Sequence, residues 1–115
     1  MAERCQIFTP AQIDSFREAG KILHDCIEHV ASLTKPGITT IALDEAAEEF
    51  IRGRGGVPGF KGYQNYPGSI CTSVNEEIVH ALPRKRVLRD GDILSIDCGV
   101  KVDGLHTDAC ITIPV

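Results

Sequence analysis

The feature that most constrains the fold of this chain is the alternating pattern between Ile93 and Ile113. In the first run, the apolar side chains that share one face are Leu94, Ile96, Cys98 and Val100. In the second run, the apolar side chains at odd-numbered positions are Leu105, Ala109, Ile111 and Ile113. Because successive side chains of a strand point to opposite faces of a sheet, this period of two predicts two half-buried strands. The segment Val102–Gly104 between them contains Asp-Gly, which is typical of a tight turn, so we predict an antiparallel hairpin.

Two amphipathic helices are predicted upstream of this hairpin. The first begins at a capping-box pattern around Thr9 and ends before Lys35-Pro36-Gly37, because proline and glycine do not continue a helix. The second is capped by Thr39 or Thr40 and ends in the glycine-rich segment 53–56. Both segments carry apolar residues at helical spacing, so each buries one face.

Shorter strands are predicted between the second helix and the hairpin. Ile70–Asn75 is rich in β-branched and small residues, Glu76-Glu77 forms a turn, and Ile78–His80 resumes the pairing. The order helix, helix, antiparallel strands is typical of an α+β protein in which two helices pack on one face of the sheet. Residues 1–115 are short enough to form a single domain.

Composition excludes several classes of protein. The net charge of −4 argues against a nucleic-acid-binding protein, so no specific nucleic acid is expected as a partner. No apolar run approaches the length of a membrane span, and the N-terminus has no apolar signal core. The five cysteines are odd in number and form no Cys-X-X-Cys pair, which favours reduced thiols. We therefore expect a cytoplasmic protein without a membrane partner.

The connector at residues 53–68 combines many glycines with aromatic side chains. Its aromatic residues are Phe60, Tyr63 and Tyr66. Aromatic side chains in such a flexible segment need a surface to pack against. They either form the wall of a binding pocket or simply anchor the loop to the domain.

Two aspartates, Asp97 and Asp108, lie on the polar face of the predicted hairpin. With a four-residue loop at Lys101–Gly104, Val100 pairs with Leu105 and Asp97 pairs with Asp108; another turn type shifts this register. Ionised carboxylates about 4 Å apart repel by roughly 4 kcal/mol at an effective dielectric constant of 20, so a proton or a cation must lie between them. A bridged pair of manganese, iron, cobalt or zinc ions is one such use. Alternatively, Asp97 faces solvent on a sheet that is covered on one side only.

Several ordered segments together resemble the type I methionine aminopeptidases. The run Tyr63–His80 is similar to the signature region of that family. Asp90–Asp97 and Asp103–Asp108 are similar to the two segments that carry its bridging metal ligands. Upstream, Ala19–Leu23 and Lys35–Thr40 also match, so the resemblance extends over nearly the whole chain.

This resemblance implies the N-terminal half of the pita-bread (creatinase/aminopeptidase) fold and a metal-dependent hydrolase. The implied reaction is removal of the initiator methionine from nascent polypeptides, with two divalent metal ions (cobalt, manganese, iron or zinc) as cofactors. By matching positions, Asp97 and Asp108 are metal ligands, and His80 is the catalytic group that contacts the scissile amide. The positions implied to bind the substrate methionine are Tyr63, Tyr66, Cys71 and His80. The resemblance departs at Ala81, where the family usually has glycine.

The resemblance also implies a partner for this chain. In the family, the remaining metal ligands are one histidine and two glutamates in the second half of the enzyme. We therefore expect the missing C-terminal half as a partner, and an inactive isolated chain. Two alternatives stay open: a non-catalytic pita-bread module that binds proteins, and a homodimer that pairs two exposed sheet edges.

Overall fold

A computed structural model of the chain describes residues 4–115. Its elements are the helices α1 (Pro10–Leu33) and α2 (Thr40–Gly53) and the strands β1 (Val57–Pro58), β2 (Ile70–Val74), β3 (Ile93–Val102) and β4 (Leu105–Pro114). The predicted α+β order, two helices followed by antiparallel strands, is confirmed. Strand β1 was not predicted, because a two-residue strand is too short to show an alternating pattern.

The start of each helix follows from local hydrogen bonding. The hydroxyl of Thr9 accepts a hydrogen bond from the backbone N–H of Gln12 at 3.2 Å, and the Gln12 side chain accepts one from the N–H of Thr9 at 2.8 Å. This reciprocal capping box satisfies two N–H groups that have no partner within the helix. Thr39 caps α2 in the same way by accepting from the N–H of Ala42 at 3.2 Å.

Strand β3 is the central strand of an antiparallel sheet. Strand β4 pairs with it along one side over its full length, from Ile93 to Val102. On the other side, β2 pairs with residues 94–98 and β1 with residues 100–101. Within the described residues, the outer edge of β4 has no strand partner.

The turn of the hairpin differs from the four-residue loop that we expected. Val102 pairs directly with Leu105, so Asp103 and Gly104 form a two-residue turn. Both have positive φ angles, 51° and 75°, as required by a tight hairpin turn whose twist matches that of the strands. The predicted register was therefore wrong by two residues.

The prediction that Ile78–His80 resumes strand pairing was also wrong. This segment is coil, and Ile78 and Val79 are 83% and 68% exposed. The chain leaves the sheet at Asn75, which has a φ of 54°, and the N–H of Glu77 then turns back to donate to the Val74 carbonyl at 3.0 Å. The following residues form a loop that returns over the end of β2.

Both helices cover one face of the sheet. The fully buried side chains between helices and sheet include Val30, Leu43, Ala47, Ile51, Ile70, Val74, Leu94, Ile96 and Val100. Because the even-numbered side chains of β3 enter this core, the odd-numbered ones must lie on the opposite face. Among the residues that the structure describes, no helix is both long and apolar enough to cross a membrane.

Candidate metal and substrate site

The carboxylates of Asp97 and Asp108 lie on the sheet face that the helices leave open. Asp97 is the cross-strand partner of Cys110, and Asp108 is the partner of Gly99. Asp108 and Cys110 are two residues apart on one strand, so the two aspartates share a face as diagonal neighbours. Burial, followed by contact with the Asp108 carboxyl group and its charge, raises the pKa of Asp97 to about 7. The two carboxylates therefore repel each other when both are ionised.

One carboxylate oxygen of this pair is buried and unpartnered, as expected of an atom that binds a metal ion. The Oδ1 atom of Asp97 is inaccessible to solvent and has no hydrogen-bond partner. A buried carboxylate oxygen without a partner is costly, and a cation removes that cost. Within residues 4–115, however, no three His, Cys, Asp or Glu side chains gather closely enough to hold a metal ion. The pair thus fits part of a metal site, and further donors are needed to complete one.

The raised pKa of Asp97 gives a testable pH dependence for the metal-free chain. The folded chain keeps a proton on Asp97 up to about pH 7, whereas the unfolded chain loses this proton near pH 4. The free energy of unfolding should therefore fall as the pH rises between these two values. Asp97→Asn should abolish this fall and raise the free energy of unfolding at pH 8 by about 1–2 kcal/mol, since the partly exposed carboxyl expresses only part of its pKa difference. Urea denaturation with a chelator at pH 5 and pH 8 measures both quantities. A variant that is less stable than the wild type at pH 8 would contradict the strain between the carboxylates.

An aromatic cavity of about 520 Å³ is bordered by Cys71, the cross-strand partner of Asp97 on β2. Its lining residues are Phe60, Tyr63, Gln64, Asn65, Tyr66, Pro67, Cys71, His80 and Leu82. All four residues that the resemblance assigned to methionine binding therefore line one cavity. The aromatic side chains of the connector, Phe60, Tyr63 and Tyr66, form a wall of this cavity. This was one of the two interpretations that the sequence left open. Leu82 had no sequence signal, because it reaches the cavity only through the fold of the loop after β2.

The cavity wall is fixed to the sheet by hydrogen bonds. The hydroxyl of Tyr66 donates to the backbone carbonyl of Ile70 at 2.8 Å. Asp44 of α2, which is 6% exposed, accepts from the backbone N–H groups of Ser69 at 2.7 Å and Ile70 at 2.9 Å. Burial raises the pKa of Asp44 despite these bonds. The backbone N–H and C=O of Ile70 are therefore both hydrogen-bonded to side chains, which fixes the backbone next to Cys71 at the cavity.

The wall also depends on the absence of a side chain at Gly99. A Cβ atom there would lie 2.6 Å from the ring of Phe60 and 3.2 Å from the Thr107 carbonyl. We predict that Gly99→Ala lowers the free energy of unfolding by about 1–3 kcal/mol, as overpacking does in protein interiors. Gly20→Ala, where a Cβ meets nothing within 4 Å, is the matched control and should not destabilise the chain. Equal effects of the two substitutions in urea denaturation would contradict the close approach of Phe60.

His80 connects the aromatic cavity to the carboxylate pair. It lines the aromatic cavity and also a smaller one of about 190 Å³ that Asp97 and Cys110 border. Its φ of 59° is unusual for a residue other than glycine. The loop that carries it is pinned to β2, because Thr72 donates its N–H to the Ala81 carbonyl at 3.0 Å and the N–H of Ala81 donates to the Ser73 hydroxyl at 3.3 Å. His80 therefore lies where the aromatic cavity and the cavity beside Asp97 share a wall.

A paired set of carboxylates next to an apolar pocket is consistent with a metallopeptidase. A family model described as Metallopeptidase family M24 matches residues 14–115, which is most of the chain. The chain belongs to metallopeptidase family M24. Similar curated proteins include methionine aminopeptidase 1 of Bacillus subtilis, which is 51% identical over 107 residues that cover 93% of this chain and 43% of that protein. The methionine aminopeptidase of Clostridium perfringens is 48% identical over 104 residues, with coverages of 90% and 42%.

Solved structures of similar proteins have the same fold as this M24 chain. A methionine aminopeptidase from Thermotoga maritima superposes with a TM-score of 0.93 at 38% identity, covering 96% of this chain and 45% of that one. An Xaa-Pro dipeptidase from Bacillus anthracis gives a TM-score of 0.81 at 25% identity, with coverages of 95% and 29%. The arrangement of two helices on an antiparallel sheet is that of the N-terminal half of the pita-bread fold. The M24 chain therefore spans less than half the length of the relatives it matches.

Proposed function

We propose that this chain forms the N-terminal half of a methionine aminopeptidase and supplies part of its metal site and its substrate pocket. The observation that carries the proposal is the position of His80 between the aromatic cavity and the carboxylate of Asp97. The relatives named methionine aminopeptidase support the substrate, the N-terminal methionine of nascent polypeptides. Residues 1–115 act as one domain in this proposal, because both helices and the sheet share a single core.

The aromatic cavity receives the methionine side chain in this proposal. Its walls are largely apolar, and a flexible thioether packs well against aromatic rings and sulfur. Burial raises the pKa of the Cys71 thiol, so Cys71 stays neutral and acts as a small apolar wall. Burial likewise raises the pKa of Tyr66, which remains a hydrogen-bond donor to the backbone. The pocket thus selects the side chain by shape and apolar contact.

Asp97 and Asp108 hold divalent cations in this proposal, and His80 acts on the substrate. Cations of the cobalt, manganese, iron or zinc type, if bound there, would supply Lewis-acid chemistry towards the scissile carbonyl and a water molecule. His80 donates a hydrogen bond to the carbonyl oxygen as negative charge develops there, a contact that is stronger in the transition state than in the substrate. The buried, unpartnered Oδ1 of Asp97 supports the role of the carboxylates as ligands.

We also propose that the isolated 115-residue chain does not hydrolyse peptides. Two carboxylates leave most coordination positions of a transition metal to water, so the affinity is low and the cation is poorly oriented. In the relatives, more than half of the chain length lies outside the matched region, and it supplies the remaining ligands in this proposal. The complete enzyme acts in the cytoplasm, where nascent chains are available.

A fusion protein tests this function. It joins residues 1–115 to the part of the Bacillus subtilis methionine aminopeptidase 1 that the match does not cover. We expect the fusion protein with manganese or cobalt to release methionine from a Met-Ala-Ser peptide, whereas the isolated chain releases none under the same conditions. Mass spectrometry of the peptide products measures this release. A correctly folded fusion protein without activity would favour a non-catalytic binding module, and activity of the isolated monomeric chain would contradict its dependence on further ligands.

A further inference from the structure

Asp44 is a buried carboxylate that the mechanism proposed above does not use. It lies on α2, one of the two helices that cover the sheet face opposite Asp97. Among the buried residues that the structure describes, it is the one acidic or basic side chain. Burial of a carboxylate costs free energy unless the group is hydrogen-bonded, so its hydrogen-bond partners indicate its role.

The hydrogen bonds of Asp44 end at the point where the connector enters β2. Its Oδ1 atom accepts from the backbone N–H of Ser69 at 2.7 Å and from that of Ile70 at 2.9 Å. Successive N–H groups that converge on one anion are found in turns. Gly68 precedes this turn, and a Cβ atom there would lie 3.2 Å from the same carboxylate oxygen. The carboxylate therefore packs closely against the backbone of the turn and fixes its position.

The turn is connected in its own right to the wall of the aromatic cavity. The hydroxyl of Tyr66 donates to the carbonyl of Ile70 at 2.8 Å. The ring of Tyr66 packs edge to face against Phe60, with the ring centroids 6.4 Å apart. Cys71, which also lines the cavity, follows Ile70 directly in the chain. Two hydrogen bonds through one residue thus connect Asp44 to Tyr66.

Asp44 acts on the cavity only through this backbone. It is not among the described residues that line the aromatic cavity or the smaller one. A second contact between α2 and the connector offers a comparison, since Lys61 forms an ion pair with Glu48 at 2.7 Å. Both of these side chains are partly exposed, and exposed ion pairs contribute little to stability. The buried contact at Asp44 is therefore the stronger attachment of the connector to α2.

We propose that Asp44 is a positioning residue that sets the width of the methionine pocket and thereby the preference for methionine as the first residue of the substrate. An apolar pocket discriminates between side chains that differ by one methylene by about 10–200-fold. Such discrimination needs pocket walls that packing and supporting hydrogen bonds hold in place. This inference rests on the proposed function, because it takes the aromatic cavity as the pocket for the methionine side chain.

The selectivity of the fusion protein between Met-Ala-Ser and Leu-Ala-Ser tests this proposal. Asp44→Ala should lower the ratio of the two kcat/KM values about tenfold, the lower end of what an apolar pocket achieves. KM for Met-Ala-Ser should rise while kcat stays nearly unchanged, because the reacting groups keep their places. Asp44→Asn keeps an uncharged acceptor and should retain more of the ratio than Asp44→Ala does. Glu48→Gln, on the same helix, is the matched control and should keep the wild-type ratio.

Hydrogen exchange in the full 115-residue chain measures the attachment without catalysis. In NMR spectra, the amides of Ser69 and Ile70 should exchange at least about tenfold faster in Asp44→Ala, the loss expected for a hydrogen bond to a charged group. Glu48→Gln should leave both rates unchanged. Circular dichroism establishes whether each variant is folded. If Asp44→Ala does not fold, Asp44→Asn decides, and its selectivity ratio should be lower than that of the wild type.

The outcomes separate this inference from the proposed function. A wild-type fusion protein that releases no methionine refutes the function, and the role of Asp44 in selectivity falls with it. An active fusion protein whose selectivity is unchanged in the folded Asp44 variants overturns the inference alone. Equal losses of selectivity in Asp44→Asn and Glu48→Gln also overturn it, because they would reflect the stability of α2 and not the buried hydrogen bonds.

Discussion

Asp97→Asn is expected to reduce methionine release by the fusion protein more than about 100-fold. Removal of a group that only supports a metal ligand already lowers metal affinity or activity by about 10–100-fold, and removal of the ligand itself should do more. Asparagine keeps the size of the side chain but removes the charge that attracts a divalent cation. Asp108→Asn should have the same effect, since both carboxylates lie on one face of the hairpin as diagonal neighbours. Initial rates of methionine release at saturating manganese measure the loss.

Asp103→Asn is the matched control for these substitutions. It removes a carboxylate from the same hairpin, but at the exposed turn, where asparagine tolerates the positive φ of 51°. It should leave the rate of methionine release nearly unchanged.

In the metal-free chain, Asp97→Asn should stabilise the fold. Loss of activity and gain of stability then occur together, as expected for a functional group that destabilises the fold. Full activity of both Asp97→Asn and Asp108→Asn would exclude the carboxylates as ligands.

His80→Ala is expected to lower kcat of the fusion protein by about 10²–10³-fold, the range found when one donor to a developing oxyanion is removed. KM should change much less, because the aromatic walls that bind the methionine side chain remain. Steady-state kinetics on Met-Ala-Ser over a range of concentrations separates the two parameters. His80 is expected to matter because it borders both the aromatic cavity and the smaller cavity that Asp97 borders.

Backbone strain needs its own control at this position. His80 has a φ of 59°, which asparagine tolerates better than alanine does. His80→Asn should therefore show a similar loss of kcat in a backbone that is less perturbed. His24→Ala, an exposed residue of α1, should have no effect. A larger rise in KM than fall in kcat for both His80 variants would make His80 a part of the pocket wall only.

The sequence pattern predicted the faces of the hairpin but not its register. The period of two places Asp97 and Asp108 on one face for any shift by two residues, so the change from a four-residue to a two-residue turn left that prediction intact. The turn type depends on positive φ angles at Asp103 and Gly104, which the Asp-Gly pair permits but does not impose. The error had one consequence: it placed Asp108 opposite Asp97, where Cys110 lies.

Long-range packing explains the remaining differences. The helices were predictable because capping and helical spacing are local properties of the chain, as Thr9 and Thr39 illustrate. The cavity was foreseeable only in part, since Leu82 reaches it through a loop held by hydrogen bonds to β2. The apolar segment Ile78–Val79 resembles a strand in sequence, yet it leaves the sheet after the positive φ of Asn75. No local pattern encodes that change of direction.

Anomalous X-ray diffraction from crystals of the fusion protein grown with cobalt locates the metal relative to the two carboxylates. We expect an anomalous peak within about 2.0–2.2 Å of carboxylate oxygens of both Asp97 and Asp108. No anomalous density beside either carboxylate in crystals that contain cobalt elsewhere, or a single peak held by one aspartate while the other faces solvent, would contradict it.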